Sequence, residues 1–214
     1  MDLINEIFDN MDKWRHLPSY QLERRADAFF AVYMGTLLER KYDIEVEGLV
    51  PEFPVRIGSI DPDSDSNQSF KIDYLAKAGG VDKVFFVELK TDPRSRRSEQ
   101  DWYLERAQEV GMVNLLKGVW KIYRATSAKR KYRALFAELE ILGFMQVDED
   151  GKYKPFQKKY EVQIVYVQPH NVEGDANVLS FHEAADIIAQ KGDPISTRFA
   201  KSLLLWAEQK AGDR

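Results

Sequence analysis

Two residue periods alternate along this chain. Leu3, Ile7, Met11 and Trp14 recur at helical spacing, which predicts a short amphipathic helix over residues 1–17. Pro18 interrupts it, and Ser19 is placed to cap a second helix over about 20–40. That helix draws its apolar face from Leu22, Ala26, Phe29, Phe30, Tyr33, Leu37 and Leu38. The period then falls to two. Ile44 and Val46, then Phe53, Val55 and Ile57, alternate with polar residues, and Pro51 and Pro54 make residues 43–57 one or two irregular strands. A loop dense in Asp and Ser spans 59–68. Residues 70–76 and 83–92 then read as two strands joined by a polar connection with two glycines, Gly79 and Gly80.

Helical spacing returns after Lys90. Ser98-Glu99-Gln100-Asp101 has the arrangement of a capping box, and a long helical pattern follows to about residue 124, loosened at Gly111. Thr126 or Ser127 starts a further helix with Tyr132, Leu135, Phe136, Leu139 and Leu142 inward, and Gly143 stops it. Residues 148–151 signal a hairpin turn between strands at 144–147 and 153–156. Val162, Ile164, Val165, Tyr166 and Val167 make residues 160–168 apolar enough for a central strand. Ser180-Phe181-His182-Glu183 opens a helix to about 190, and Asp193-Pro194 opens the last, to about 209. The order is helix, strands, hairpin, helices, strand, helices. It predicts an α/β chain with a partly antiparallel sheet between helices. No internal repeat or low-complexity linker divides it, so residues 1–214 are expected to form one domain.

Composition narrows the class. The chain has 214 residues, 44% hydrophobic and 31% charged, as in an ordinary globular protein with one sizeable core. Without cysteine there is no disulfide and no thiolate metal site. The acidic start and the lack of an apolar run of membrane-spanning length point to a cytoplasmic protein with no membrane partner. The net charge of −4 is unevenly spread: residues 90–133 hold twelve Lys or Arg against five Asp or Glu. That segment is therefore +7 and the rest of the chain −11. A basic segment on an acidic protein marks either a phosphate-binding face or a solvated helix surface.

The chemistry gathers on the 70–92 hairpin. Period-two alternation sets Val84, Phe86, Glu88 and Lys90 on one face of their strand. An acid and a lysine ending an otherwise apolar face are costly unless they find partners. Asp73 lies on the neighbouring strand. Two carboxylates and a lysine at one end of a hairpin suit a divalent metal and a phosphate. Mg²⁺ prefers a few carboxylates plus several waters, and Asp73 and Glu88 would supply those carboxylates. Lys90 would orient or help deprotonate a metal-bound water, or neutralise developing charge, and Gln100 would hold that water or a phosphate. The plainer reading of Glu88 and Lys90 is a strand-end ion pair, worth little if exposed.

Ile72-Asp73, fourteen residues, then Glu88-Leu89-Lys90, on a hairpin with a helix before and after, resembles the PD-(D/E)XK nuclease superfamily. Gln100 and Tyr103 at the start of the following helix add to the likeness, which covers about residues 20–168. The resemblance implies a restriction-endonuclease-like three-layer fold, with a mixed central sheet flanked by helices and a helical C-terminal extension over about 178–211. It implies cleavage of DNA phosphodiester bonds with Mg²⁺ or Mn²⁺. It adds the Leu89 carbonyl as a further metal ligand and an acid from the preceding helix. That acid is Asp27, or Glu23 four residues before it; Asp27 borders the apolar stripe and is preferred, although a solvated face explains both.

One departure stands out. The family's first acid often follows a proline, whereas Ile72 precedes Asp73 here. Pro62-Asp63 fits the letters, but Asp63 falls in a polar loop, so Asp73 is preferred. That loop has calcium-like spacing without glycine at its sixth place (Ser66) or glutamate at its twelfth (Ile72). His16, His170 and His182 lack zinc-ligand spacing. Arg94, Arg96 and Arg97, and Lys129, Arg130, Lys131 and Arg133, suit contacts to a nucleic-acid backbone. Besides a nuclease, the residues admit a non-catalytic nucleic-acid-binding or assembly module on the same fold, or a purely structural interaction protein.

Overall fold

The computed structural model describes residues 2–92 and 97–208. Its elements run α1 (Leu3–Trp14), α2 (Leu22–Tyr42), β1 (Val46–Arg56), α3 (Ile57–Ile60), β2 (Ser69–Ala78), β3 (Lys83–Leu89) and α4 (Ser98–Ala125). They continue with α5 (Lys129–Ile141), β4 (Met145–Val147), β5 (Tyr153–Pro155), β6 (Glu161–Gln168), β7 (Val178–Ser180), α6 (Phe181–Ala189) and α7 (Pro194–Ala207). The chain is α/β. A mixed, open sheet has the order β1-β2-β3-β6-β7, and β4 and β5 form a separate hairpin. Among the described residues there are seven helices, none long and apolar enough to cross a membrane.

The sheet order follows from side-chain chemistry. Every residue from Val84 to Leu89 is buried, so β3 takes an interior place between β2 and β6. Pro51 and Pro54 put β1 at the edge, where a missing N–H forfeits no ladder bond. β1 pairs antiparallel with β2 from Val46 opposite Ala78 to Arg56 opposite Ser69, and β2 pairs antiparallel with β3. β6 and β7 are parallel. The Glu161 amide donates to the Asp82 carbonyl (2.8 Å), and the Lys90 amide to the Val167 carbonyl (2.8 Å), so β3 and β6 also run the same way.

Several expectations from the sequence change in detail. Ser19 does not cap α2: it takes a left-handed conformation (φ 63°), and the cap position is Gln21, which makes no side-chain capping bond. Likewise Ala128, not Thr126 or Ser127, is the N-cap of α5. The Thr126 hydroxyl instead accepts from the Ala128 amide (3.1 Å), a local turn competing with a cap. α4 breaks at Gly111 (φ 73°, ψ 159°), as the glycine suggests. Of the one or two strands expected over residues 43–57, one forms, β1, and it closes into α3. The backbone contacts divide the chain into two units, described separately: one from residues 1–44, 89–97 and 165–214, the other from 45–88 and 98–164.

In the first unit, α1, α2, α6 and α7 meet around Phe199. The rings of Phe8, Phe29, Phe30 and Tyr33 all lie within 6 Å of it, centroid to centroid. A polar knot closes the other side of this cluster. Asp12 accepts from the Trp206 indole (2.8 Å), the Arg198 guanidinium (2.7 Å) and the Ser202 hydroxyl (3.2 Å). The α6 capping box forms as its sequence requires, with Ser180 and Glu183 exchanging bonds, and Glu183 also takes Lys41 of α2 (2.6 Å).

In the second unit, α4 crosses β1 and α3, with Gly118 at the closest approach. A Cβ there would collide with Ser59 Oγ and lie 3.2 Å from Arg56 Cβ. Arg56, only 2% exposed, gathers the acidic loop that follows it. Its Nε donates to Asn67 Oδ1 (2.7 Å), and its Nη2 to the carbonyl and carboxylate of Asp65 (both 2.6 Å). Its Nη1 is buried and has no hydrogen-bond partner among the described residues. This guanidinium holds the Asp65 carboxyl below the usual carboxylate range.

Removing a carboxylate that holds three donors strands them all. Asp12→Ala is expected to lower unfolding free energy by about 2–4 kcal/mol, measured by urea denaturation. The Glu183 carboxyl is pushed up by burial, but the bonds from Lys41 and Ser180 outweigh this and set it below the usual glutamate range. The unfolded chain therefore binds that proton first. The contribution is complete above the unfolded value, about pH 4.3, and is lost as pH falls through the lower folded value. Wild type is expected to lose more stability than Glu183→Gln between neutral and acid pH, as read by thermal melting.

Candidate metal and phosphate site

The register of β2 and β3 decides what their acids share. Tyr74 lies opposite Val87 and Leu75 opposite Phe86. Carried one residue past its last pair, that register sets Asp73 opposite Glu88, and residues directly opposite one another project from the same face of the sheet. Strand-face alternation in the sequence placed Glu88 on a side of β3 but left Asp73 unassigned; the pairing assigns it. Asp73 is half-buried, and Glu88 is 1% exposed.

Burying Glu88 to this degree requires polar company. Gln100, in the first turns of α4, supplies it: the side-chain amide donates to Glu88 Oε1. The sequence reading has Gln100 hold a water or a phosphate; in the structure its donor is on the Glu88 carboxylate itself. One turn further, Tyr103 stacks on Phe70 of β2 (centroids 5.2 Å apart, rings 17° from parallel). The Tyr103 hydroxyl donates to Glu99 (3.1 Å). These aromatic contacts anchor the start of α4 to β2 three residues before Asp73, and so fix where Gln100 reaches. The second unit therefore brings together Asp73, Glu88 and Gln100.

Leu89, Lys90, Glu23 and Asp27 belong to the first unit. Leu89 ends β3 and is buried; Lys90 is 5% exposed, and its backbone carries the pairing to β6 one step beyond the strand. Immediately after Lys90, Thr91 and Asp92 line a cleft of about 400 Å³ together with Arg15, Glu23 and Arg24. Asp27, one turn along α2, is half-buried and is not part of that lining. Of the two α2 acids, Glu23 is the one in a cleft with residues adjoining Lys90. Arg15 donates to the Leu205 carbonyl (3.2 Å), and burial lowers its pKa, with Asp12 and Glu208 opposing.

The basic residues part company. Arg94 and Arg96 lie outside the described residues. Arg97 and Arg130 are exposed. Lys129 is committed to its own fold: its ammonium donates to the last carbonyls of α4, those of Tyr123 and Arg124 (2.9 Å for the latter), and sits over the Tyr123 ring. A cation there satisfies orphan carbonyls and the helix dipole. Asp63 stays exposed in the Arg56 loop, in keeping with its polar sequence context. Arg56 is the residue that reading by pattern passed over. Its signal was a lone arginine closing the apolar run Phe53-Pro54-Val55.

Among the described residues, no group of three or more His, Asp or Glu is gathered as for a metal cage. Two carboxylates are nonetheless what Mg²⁺ commonly takes from a protein, with water completing its octahedron. In donor number the Asp73–Glu88 pair matches such an ion, whereas zinc and calcium ask for more protein ligands.

Taking the donor from Glu88 leaves a buried carboxylate short of one partner. Gln100→Leu is expected to cost about 1–3 kcal/mol in urea unfolding, while Gln100→Glu costs more by setting two acids side by side. Comparison of the chain with family models, with curated proteins and with solved structures finds no match.

Proposed function

We propose that this protein is a divalent-metal-dependent nuclease of the PD-(D/E)XK type, with a three-layer restriction-endonuclease-like fold, acting on DNA. The observation that carries the reading is the β2–β3 register, which continued one residue past Tyr74 and Val87 sets Asp73 opposite Glu88, with Gln100 on the Glu88 carboxylate. Asp73 and Glu88 would hold Mg²⁺ or Mn²⁺. What such an ion supplies when bound is Lewis acidity at a phosphoryl oxygen and a bound water of lowered pKa. Gln100 acts by positioning: its amide fixes one oxygen of Glu88, which limits the orientations of the other. Lys90 completes the Glu-x-Lys motif two residues along the chain, and its ammonium is suited to neutralise charge that develops on the phosphate. The Leu89 carbonyl, next along the chain from Glu88, is the further oxygen donor that the resemblance would add.

The sheet order supports the fold assignment. An antiparallel β1-β2-β3 meander is followed by a helical crossover to a parallel β6, in keeping with the mixed central sheet flanked by helices that the resemblance implies. A second reading, a nucleic-acid-binding module without catalysis, is favoured by one feature: no cluster of three acids gathers among the described residues.

Plasmid and linear DNA incubated with Mg²⁺ or Mn²⁺ tests both readings. Wild type is expected to cleave. Asp73→Ala and Lys90→Ala should each lose at least about 100-fold in rate, the scale of a lost electrostatic or acid–base contribution. Calorimetry with Mn²⁺ should show binding lost in Asp73→Ala. Cleavage equal to wild type in both variants would remove the site; DNA binding without cleavage would leave the non-catalytic module.

A further inference from the structure

A second cleft, of about 190 Å³, lies within the second unit where α5 meets the edge of the sheet. Pro51 and Pro54 of β1 and Leu135 of α5 give it stiff apolar walls, and Lys71 of β2 and Lys131 of α5 bring two ammonium groups to it. We propose that this cleft is a phosphodiester-binding subsite that holds the backbone of a DNA strand one nucleotide from the Asp73–Glu88 pair. The identity of the ligand rests on the nuclease reading above.

The register makes the argument. Lys71 and Asp73 are two residues apart on β2, so they project from one side of the sheet about 7 Å apart. That is close to the step between neighbouring phosphates along a nucleic-acid strand. A phosphate at Lys71 therefore sets the next one at the carboxylate pair. Pro54 lies opposite Lys71 in the β1 pairing and closes the cleft on that side with a ring that cannot rotate away. The volume equals that of about six waters, room for a phosphodiester and the edge of its sugar.

Charge agrees. Both lysines are exposed, and among the described residues neither takes part in an ion pair. Elsewhere in this unit, Lys77, Lys83 and Lys158 are each paired with a carboxylate. Glu52 is the one acid in the lining. It is exposed and takes a left-handed conformation (φ 52°) inside a strand, a departure from the pleat that alters the regular direction of its side chain. Even with Glu52 counted, the lining is net positive, and the exposed Arg130 and Arg133 extend the positive charge along α5. Burial pushes the Tyr132 phenol upward, which keeps its hydroxyl a donor for a phosphate oxygen.

The test is fluorescence anisotropy with labelled single-stranded DNA, without divalent metal, across a potassium chloride series. Removing one lysine–phosphate interaction should reduce the slope of log affinity against log salt by roughly 0.7–1. Lys71→Ala and Lys131→Ala should each do so. The double variant should bind roughly tenfold or more weakly at low salt, and the Lys→Arg pair should restore the slope. Lys201→Ala, on the exposed side of α7, serves as the control and should match wild type. Competition by inorganic phosphate at far lower concentration than by the oligonucleotide would assign the cleft to a free anion and overturn the proposal. So would an unchanged slope in the double variant, or no DNA binding by wild type. The two readings fail separately: metal-dependent cleavage with an unchanged slope removes the cleft alone, and a reduced slope without cleavage removes the nuclease alone.

Discussion

The antiparallel register between β2 and β3 is the constraint on which the candidate site depends. A slip of one residue would turn Asp73 to the other face of the sheet and separate it from Glu88. What prevents the slip is burial. Tyr74, Leu75 and Ala76 on β2 and Phe85, Phe86 and Val87 on β3 are each at most 1% exposed. Any shift would move several of these apolar side chains out of fitted positions, each worth about 1.5–3 kcal/mol when fully buried. Two carboxylates that do not favour each other's company are thus held together by the apolar residues beside them. Polar chemistry at the end of the hairpin is stabilised by the hydrophobic stretch behind it.

Helix α4 serves this arrangement at both ends. Its first turns carry Gln100 to Glu88 and stack Tyr103 on Phe70. Farther along, Gly118 lets it approach β1 and α3 so closely that no larger side chain fits without movement. Between the two contacts Gly111 breaks the helix, so its halves can meet the sheet independently. Arg56 plays a related part on the other side of that crossing. Buried at the end of β1, it donates to Asp65 and Asn67, which stay exposed, and so ties the acidic loop to the strand. That single guanidinium converts a stretch of self-repelling acids into a closed turn against α3.

The first unit follows a different logic. Phe199 gathers rings from α1 and α2, and Asp12 anchors the α1–α7 contact by accepting from Trp206, Arg198 and Ser202. Glu183 performs two tasks at once, closing the α6 capping box and receiving Lys41 from α2. Helix packing here is set by apolar faces, while the crossing points are fixed by a few multiply bonded carboxylates.

Much of the architecture was written in local patterns. The periods at Leu22–Leu38 and Val162–Val167, the capping box at Ser180, the Asp193-Pro194 start and the Gly143 stop each rest on contacts within a few residues, and each appears in the structure. The Glu88-x-Lys90 alternation was legible for the same reason. Tertiary structure alone decided the rest. The three-residue β7 is defined by its parallel pairing with β6 and has no pattern of its own. The four-residue α3 exists because Arg56 and the bonds from Ile57 to Gln68 and Gly58 to Ser66 close the loop around it. Ser19 had the chemistry of a cap, but its left-handed backbone turned it away from α2. The pairing of Asp73 with Glu88, the reach of Gln100, and the meeting of Lys71 with Lys131 all depend on register and on where helices land. Sequence periodicity fixes which side of an element a residue occupies; only packing fixes what that side faces.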